Sequence, residues 1–459
     1  MDNRVEDYSG RAVLLVVALS SFLTPFAASS FNLALPSMGR ELMLDAALLG
    51  WLALSYLLAS AIFLVPFGKL ADMVGRKRVF LYGTLVFTAS SLLLAFLTST
   101  FFLLLLRTLQ GVGSAMLFGT GPAILVSSSP TGRRGRLLGL NVASVYLGLS
   151  LGPSLGGALT QRLGWRSTFL MNAALGLVII IFTIARMRGE WRGAGGGKFD
   201  SLGSLLYGLT LLLLIYGFSS IPSAQSLLFM AFGGLSTLLF LNWELRVKNP
   251  VLEVRMFTKN RVFALSNLAA LLNYGATSAV AFLMSLYLQY PRGFDPQTSG
   301  LILLSQPVMQ ATFSPLAGTL SDRVEARILA STGMGITTLG LLLLTLLDEA
   351  TPMEAVVLDL LILGLGFALF SSPNMNAVMS SVEKGSYGIA SAILGTMRLI
   401  GQMLSMSIAT TAIAASTGGG LIEPSTYPLL IQAMRSSFTI FSILCLIGTL
   451  ASTARGRMR

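Results

Sequence analysis

Between residues 12 and 453 the chain is divided into apolar runs of about twenty residues by short charged turns, and no other feature limits its fold so strongly. A helix rises about 1.5 Å per residue, so crossing a hydrocarbon core of about 30 Å takes about 20 apolar residues. Runs near 12–35, 47–70, 79–98, 101–125, 138–160 and 167–186 meet that test. Two shorter ones follow near 202–219 and 226–243. Six more lie near 262–289, 298–320, 328–347, 354–376, 388–415 and 433–453. The expectation is an all-α polytopic membrane protein with fourteen spans, or twelve if the shorter pair does not cross.

Composition and charge agree with this. The chain is 54% hydrophobic and 11% charged, whereas a soluble domain carries about 25% charge. Its net charge of +12 comes from 31 Lys and Arg against 19 Asp and Glu. The basic residues punctuate the apolar runs instead of clustering beside aromatics, which argues against nucleic-acid binding and for the positive-inside pattern. With no histidine and the single Cys445, zinc sites, Ser-His-Asp triads, histidine proton relays and an intrachain disulfide are all excluded. Neither an enzyme nor a cofactor or metal is expected. The first ten residues contain Asp2, Glu6 and Asp7, and the first run is longer than a signal-peptide core, so it reads as a retained span.

With the N-terminus inside, 24 of the Lys and Arg residues fall in cytoplasmic turns and termini, five fall outside, and Arg107 and Arg398 lie within spans. That asymmetry places both termini in the cytoplasm of a cell membrane. A weak repeat, GKLADMVGRKR (68–78) and GTLSDRVEAR (318–327), follows the second and tenth runs. It divides the chain into six-span halves, 1–186 and 262–459, around a segment 187–261 that holds the extra pair. The glycine-rich, charged stretch 186–201 reads as a flexible linker.

The first copy of the repeat carries its own chemistry. Gly68 lets another helix approach closely, and Gly75 permits a sharp reversal. Asp72 ends its helix where a carboxylate opposes the helix dipole, so it wants a donor: Arg76, Arg78 or a neighbouring helix N-terminus. Such a cluster can latch one conformation. Lys77 and Arg78 read as topological.

Gly68, Leu70, Ala71, Asp72, Gly75, Arg76 and Lys77 resemble the loop signature between spans two and three of the major facilitator superfamily. Gly318, Leu320, Asp322 and Arg323 stand where that family's second half repeats it. In the fourth run, Arg107, Gln110, Gly111 and Gly113 resemble the family's arginine-bearing motif. In the fifth, Gly148, Gly152, Pro153, Gly156 and Gly157 are similar to a glycine-proline motif of its exporters. The resemblance covers the whole chain and, with the central pair, points to the fourteen-span drug–proton antiporter branch. It implies two six-helix bundles plus two central helices, a latch at Gly68, Asp72, Gly75, Arg76, Asp322 and Arg323, and a pivot along the fifth span.

Read on their own, the span-five glycines recur at i, i+4 and i+8 along one helix face, and Pro153 adds a kink. Arg107 lies roughly 12 Å and Arg398 roughly 15 Å into their spans. A mid-bilayer arginine costs at least about 2.5–3.5 kcal/mol, so each needs an interior partner: helix carbonyls, or a substrate or proton path. Relatives in the branch carry a span-one aspartate where this chain has Ala27. Asp359, about 8 Å from the outer end, is the other intramembrane acid and can either take over proton exchange or snorkel to water. With Arg398 and Asp359, the candidate path residues are Asn32, Asn273, Tyr274, Gln306, Gln310, Asn374 and Gln402, each of these seven equally readable as a helix–helix hydrogen bond. The expected activity is proton-coupled export of hydrophobic or amphipathic small molecules by alternating access, by a monomer in the bilayer. Two rivals stand: a metabolite or anionic-solute carrier, and a membrane sensor that has lost coupling.

Overall fold

The computed structural model describes residues 2–128, 134–187, 189–192, 199–221, 223–321, 323–383 and 387–456. Every regular element among them is helical. The first six crossings are α1 (Asp2–Leu42), α2 (Ala46–Val74), α3 (Arg76–Leu94), α4 (Thr100–Ser127), α5 (Arg134–Leu163) and α6 (Arg166–Arg186). A central hairpin, α7 (Ser201–Ser219) and α8 (Ala224–Glu244), precedes the five-residue α9 (Arg255–Lys259). The second six crossings begin with α10 (Arg261–Thr277) continued by α11 (Val280–Gln289), then α12 (Pro296–Leu303) continued by α13 (Ser305–Ser321). They end with α14 (Ala326–Leu344), α15 (Met353–Ser380), α16 (Tyr387–Thr417) and α17 (Tyr427–Ala454).

Thirteen stretches among the described residues are long and apolar enough to cross a membrane. The fourteenth is α12–α13, interrupted only nominally. Leu304 keeps helical dihedrals, and the bonds Leu304 N–H to Gly300 O (3.0 Å) and Val308 N–H to Leu304 O (3.1 Å) carry the run across it. The missing bond is the one that Pro307, lacking an N–H, cannot donate to Leu303. At the other interruption, the Ala279 N–H leaves the helix ladder for the Ser405 hydroxyl of α16 (2.9 Å).

In the first bundle α1 packs on α5, α6 and α4, while α4 also meets α2 and α3. In the second, α10 packs on α16, α17 and α15, and α14 on α15 and α17. Fourteen crossings bring both termini to one end of the molecule. The bundles meet most closely at the far end. There Gly50 of α2 lies against Thr410 of α16, and Gly157 of α5 against the carbonyl of Pro296, where a Cβ would sit 2.3 Å from that oxygen. Beside them α1 is bonded to α11: the Ser285 hydroxyl donates to Asn32 O (2.6 Å), Gln289 Nε2 to Leu33 O (3.2 Å) and the Tyr290 hydroxyl to Pro36 O (3.2 Å). Pro36 explains the first of these, since without an N–H it leaves the carbonyl of Asn32, four residues earlier, free for a donor from the other bundle.

The hairpin spans this seam. α7 touches α2, where the Tyr207 hydroxyl donates to Ala61 O (3.2 Å), and α16, where Ser219 donates to Ser407 (3.0 Å). At the terminus-bearing end, the Lys69 ammonium of α2 donates to the carbonyls of Asn249 and Pro250, and the Glu244 carboxylate accepts the Val251 and Leu252 N–H groups.

The expectation of a flexible linker from 186 to 201 needs correction at its start. Met187 and Trp191 pack against the first-bundle core, while residues 188 and 193–198 lie outside the described residues.

Candidate functional site

The loop between α2 and α3 is held by residues from three elements. Asp72 takes Arg76 Nε at 2.7 Å, one of the donors expected for it. The Arg76 guanidinium also reaches Ala123 O (3.1 Å) and the Ser127 hydroxyl at the end of α4. Gly75 has φ +122°, a backbone geometry that a side chain would strain, and an added Cβ would fall 2.5 Å from the Glu190 carboxyl carbon. That carboxylate accepts the Lys77 N–H (2.8 Å) and lies 3.7 Å from Arg78, while Trp191 O accepts the Arg76 N–H (2.8 Å). Lys77 donates to Met187 O. Thus Lys77 and Arg78, read as topological, are also bonded to the segment after α6. Gly68 lies against Gly119 of α4, as a close helix approach requires. In the second copy Asp322 is outside the described residues and Arg323 is exposed.

Arg107 is 2% exposed. Its Nε donates to Leu52 O (2.9 Å) and a terminal nitrogen to Gln110 Oε1 (2.6 Å), and Gln110 in turn donates to Ser91 (2.8 Å). The guanidinium lies 3.9 Å from the Phe31 ring centre and 4.7 Å from that of Tyr56. It takes the carbonyl-bonding role, inside the first bundle, and Gly111 lets α2 approach at the Tyr56 carbonyl. The span-five glycines divide by face: Gly148, Gly152 and Gly156 receive α1, whereas Gly157 and the Pro153 carbonyl meet α12.

Arg398 is placed differently. On α16, Gly395 lies toward Leu64 of α2 and Gly401 against Leu271 and Tyr274 of α10. Arg398 falls between them, with Gln402 one turn on, so both face the space between the bundles. Among the described residues Arg398 forms no hydrogen bond or ion pair; its contact is the Tyr274 ring, 5.1 Å away. Tyr274 packs edge-on against Phe367 (5.3 Å) and is flanked by Ser371 of α15 and Tyr146 of α5. The Tyr146 and Ser371 hydroxyls are 3.2 Å apart and join the two bundles.

The structure therefore sets Arg398 against Tyr274, with Gln402 one turn on along α16, and adds Tyr146, Ser371 and Phe367, which sequence reading missed. An isolated tyrosine in a long apolar run carries no marker of its facing. The other candidates lie elsewhere. Asn32 lies at the far-end seam, where its carbonyl is the group engaged. Both amide atoms of Asn273 are buried and have no partner among the described residues. Gln306 packs its backbone against Gly364 of α15, and Gln310 is buried on the same helix, α13. Asp359 shares a face of α15 with Ile362, Leu363 and Gly366, which meet Gly340 and Gly333 of α14, so it points away from the central space.

Asn374 belongs to a second unforeseen cluster. The Arg455 side chain, 1% exposed, donates to Asn374 Oδ1 (2.9 Å), to Ser266 (3.1 Å), and to the Ser452 carbonyl and hydroxyl. Burial lowers its pKa to about 10. It ties α10, α15 and α17 together at the terminus-bearing end. The sequence signal was an arginine immediately after the last apolar run, indistinguishable there from a topological one.

A family model described as Major Facilitator Superfamily matches residues 17–245 and 267–456. The riboflavin transporter RibZ of Clostridioides difficile is 26% identical over 437 residues, 95% of each chain. The multidrug resistance protein Stp of Mycobacterium tuberculosis is 29% identical over 408 residues, covering 88% of this chain and 75% of its own. A solved bacterial homologue of the lysosomal transporter Spinster superposes with a TM-score of 0.71 at 16% identity, over 98% of this chain and 97% of that one.

Proposed function

The chain belongs to the Major Facilitator Superfamily, and from that premise we propose that it exports hydrophobic or amphipathic small molecules by alternating access, driven by a proton gradient. It is a transporter and not an enzyme. The observation that carries the reading is the group of side chains between the bundles. Tyr274, Phe367, Tyr146, Arg398 and Gln402 offer aromatic surface with a few polar groups, as sites for loosely defined amphipathic ligands do. Similarity to a multidrug resistance protein supports export, and similarity to a riboflavin transporter supports an aromatic cargo.

In this reading the protein acts as a monomer in the cell membrane, with the terminus-bearing end in the cytoplasm. Closure at the far end then corresponds to the state that loads from inside. Rocking one bundle against the other would part α5 from α12 and α1 from α11. The Asp72–Arg76 loop and its second-half counterpart at Arg323 latch the alternate states. Ala27 leaves proton coupling to another group, and Asp359, facing α14, would act from outside the central space.

The test is a proteoliposome assay with an internal pH dye and apolar, cationic and anionic compounds added in turn. Proton movement tied to one class supports coupled export. Cargo flux without proton movement defeats the antiport part and leaves a uniporter or exchanger. Absence of flux for every class defeats the transport reading and favours a sensor.

A further inference from the structure

Arg398 is an intramembrane guanidinium whose five N–H donors are unclaimed among the described residues, whereas Arg107 gives two hydrogen bonds to oxygen acceptors and Arg455 four. Arg398 is partly exposed towards the space between the bundles, and a cation at membrane depth with no acid paired to it is open to a bound anion. Its surroundings lack one: Ala27 stands in α1, Asp359 faces α14, and no carboxylate pairs with Arg398 among the described residues. What surrounds it is flat and aromatic. Tyr274 lies under the guanidinium, Phe367 stands edge-on to Tyr274, and Tyr146 reaches across from the first bundle.

We infer that this cluster binds a planar aromatic anion, with its carboxylate or similar oxyanion on Arg398 and its ring system against Tyr274 and Phe367. Arg suits the role because its fork can donate two parallel hydrogen bonds to an oxyanion while its face stays stacked on a ring. Tyr146 and Ser371 belong to opposite bundles, so a ligand that separates their hydroxyls contacts both halves at once. The inference rests on the transporter reading and adds the charge and shape of the cargo.

Three probes share one skeleton and differ in charge: 2-naphthoate, 2-naphthamide and 2-naphthylmethylammonium; cyclohexanecarboxylate removes the aromatic plane. Binding is measured on the purified full chain in detergent, and flux separately in proteoliposomes. Naphthoate is expected to bind at least about tenfold more tightly than the amide, a difference of about 1.4 kcal/mol, with the ammonium weakest. Arg398→Gln should abolish that preference, and Arg398→Lys should retain part of it, each verified as folded by its melting curve. Tyr274→Leu should weaken naphthoate and leave cyclohexanecarboxylate unchanged. Equal binding of the three naphthyl probes, or a preference that survives Arg398→Gln, overturns the inference even if neutral or cationic compounds are transported. Arg398-dependent binding of naphthoate without flux keeps the site and defeats the reading of aromatic anions as its cargo.

Discussion

A single arginine in an apolar run conveys cost but not its resolution. Arg107 resolves it with the Leu52 carbonyl, Gln110 and two ring faces, so its removal leaves buried acceptors unpaired at about 1–3 kcal/mol each. Arg107→Gln should lower the melting temperature clearly, and Arg107→Lys should not restore it, because an ammonium cannot bond the carbonyl and Gln110 while lying flat between Phe31 and Tyr56. A melting curve unchanged by Arg107→Gln would contradict that role. Sequence reasoning asked an interior partner of both intramembrane arginines. It could not separate their roles, which depend on the helix that each guanidinium faces. For the same reason it grouped Asn374, a partner of Arg455, with Tyr274.

At the scale of helices, the far-end seam contains groups that oppose its own closure. Near it, Thr160 Oγ1 on α5, Ser299 Oγ on α12 and Gln289 Oε1 on α11 are buried and have no hydrogen-bond partner among the described residues. Each is desolvated when the seam shuts and regains water when it opens. Thr160→Val combined with Ser299→Ala should therefore favour the closed state, raising the melting temperature while slowing transport. A lower melting temperature with unchanged flux would refute this. At the start of α12, Asp295 caps the helix through the Thr298 hydroxyl (2.7 Å) and amide (2.9 Å), and these bonds hold its carboxyl below the usual 3.8. A carboxyl lowered in the folded state stabilises fully above its unfolded pKa and loses that contribution as pH falls through the folded value. Below about pH 4 the wild type should lose melting temperature faster than Asp295→Asn, whose amide oxygen caps without titrating. Parallel curves would rule this out. Helix positions were legible because length and apolarity define them. The breaks at Ala279 and Leu304 were not, since one depends on Ser405 from a distant span and the other on how a proline sits in its run.

At the scale of the molecule, fourteen spans and the two-bundle plan could be read from apolar length and the repeat. The place of the extra hairpin could not. It lies over the α2–α16 seam with contacts to both bundles, including Tyr207 to Ala61 and Ser219 to Ser407. If α16 moves relative to α7 during transport, a disulfide between Ser219→Cys and Ser407→Cys, in a Cys445→Ala background, should arrest flux, and a reductant should restore it. Full flux in the cross-linked protein would mean that hairpin and α16 move as one body. The docking of Glu190 and Trp191 under the first bundle has a further consequence for chain continuity. Only residues 192–199 separate Trp191 from the cap of α7, and eight residues span at most about 26–29 Å. The hairpin is thus tied on a short leash to the first bundle, and the chain through residues 245–260 joins it to α10 of the second. A chain cut within that leash would keep every one of those contacts and should still migrate as one particle.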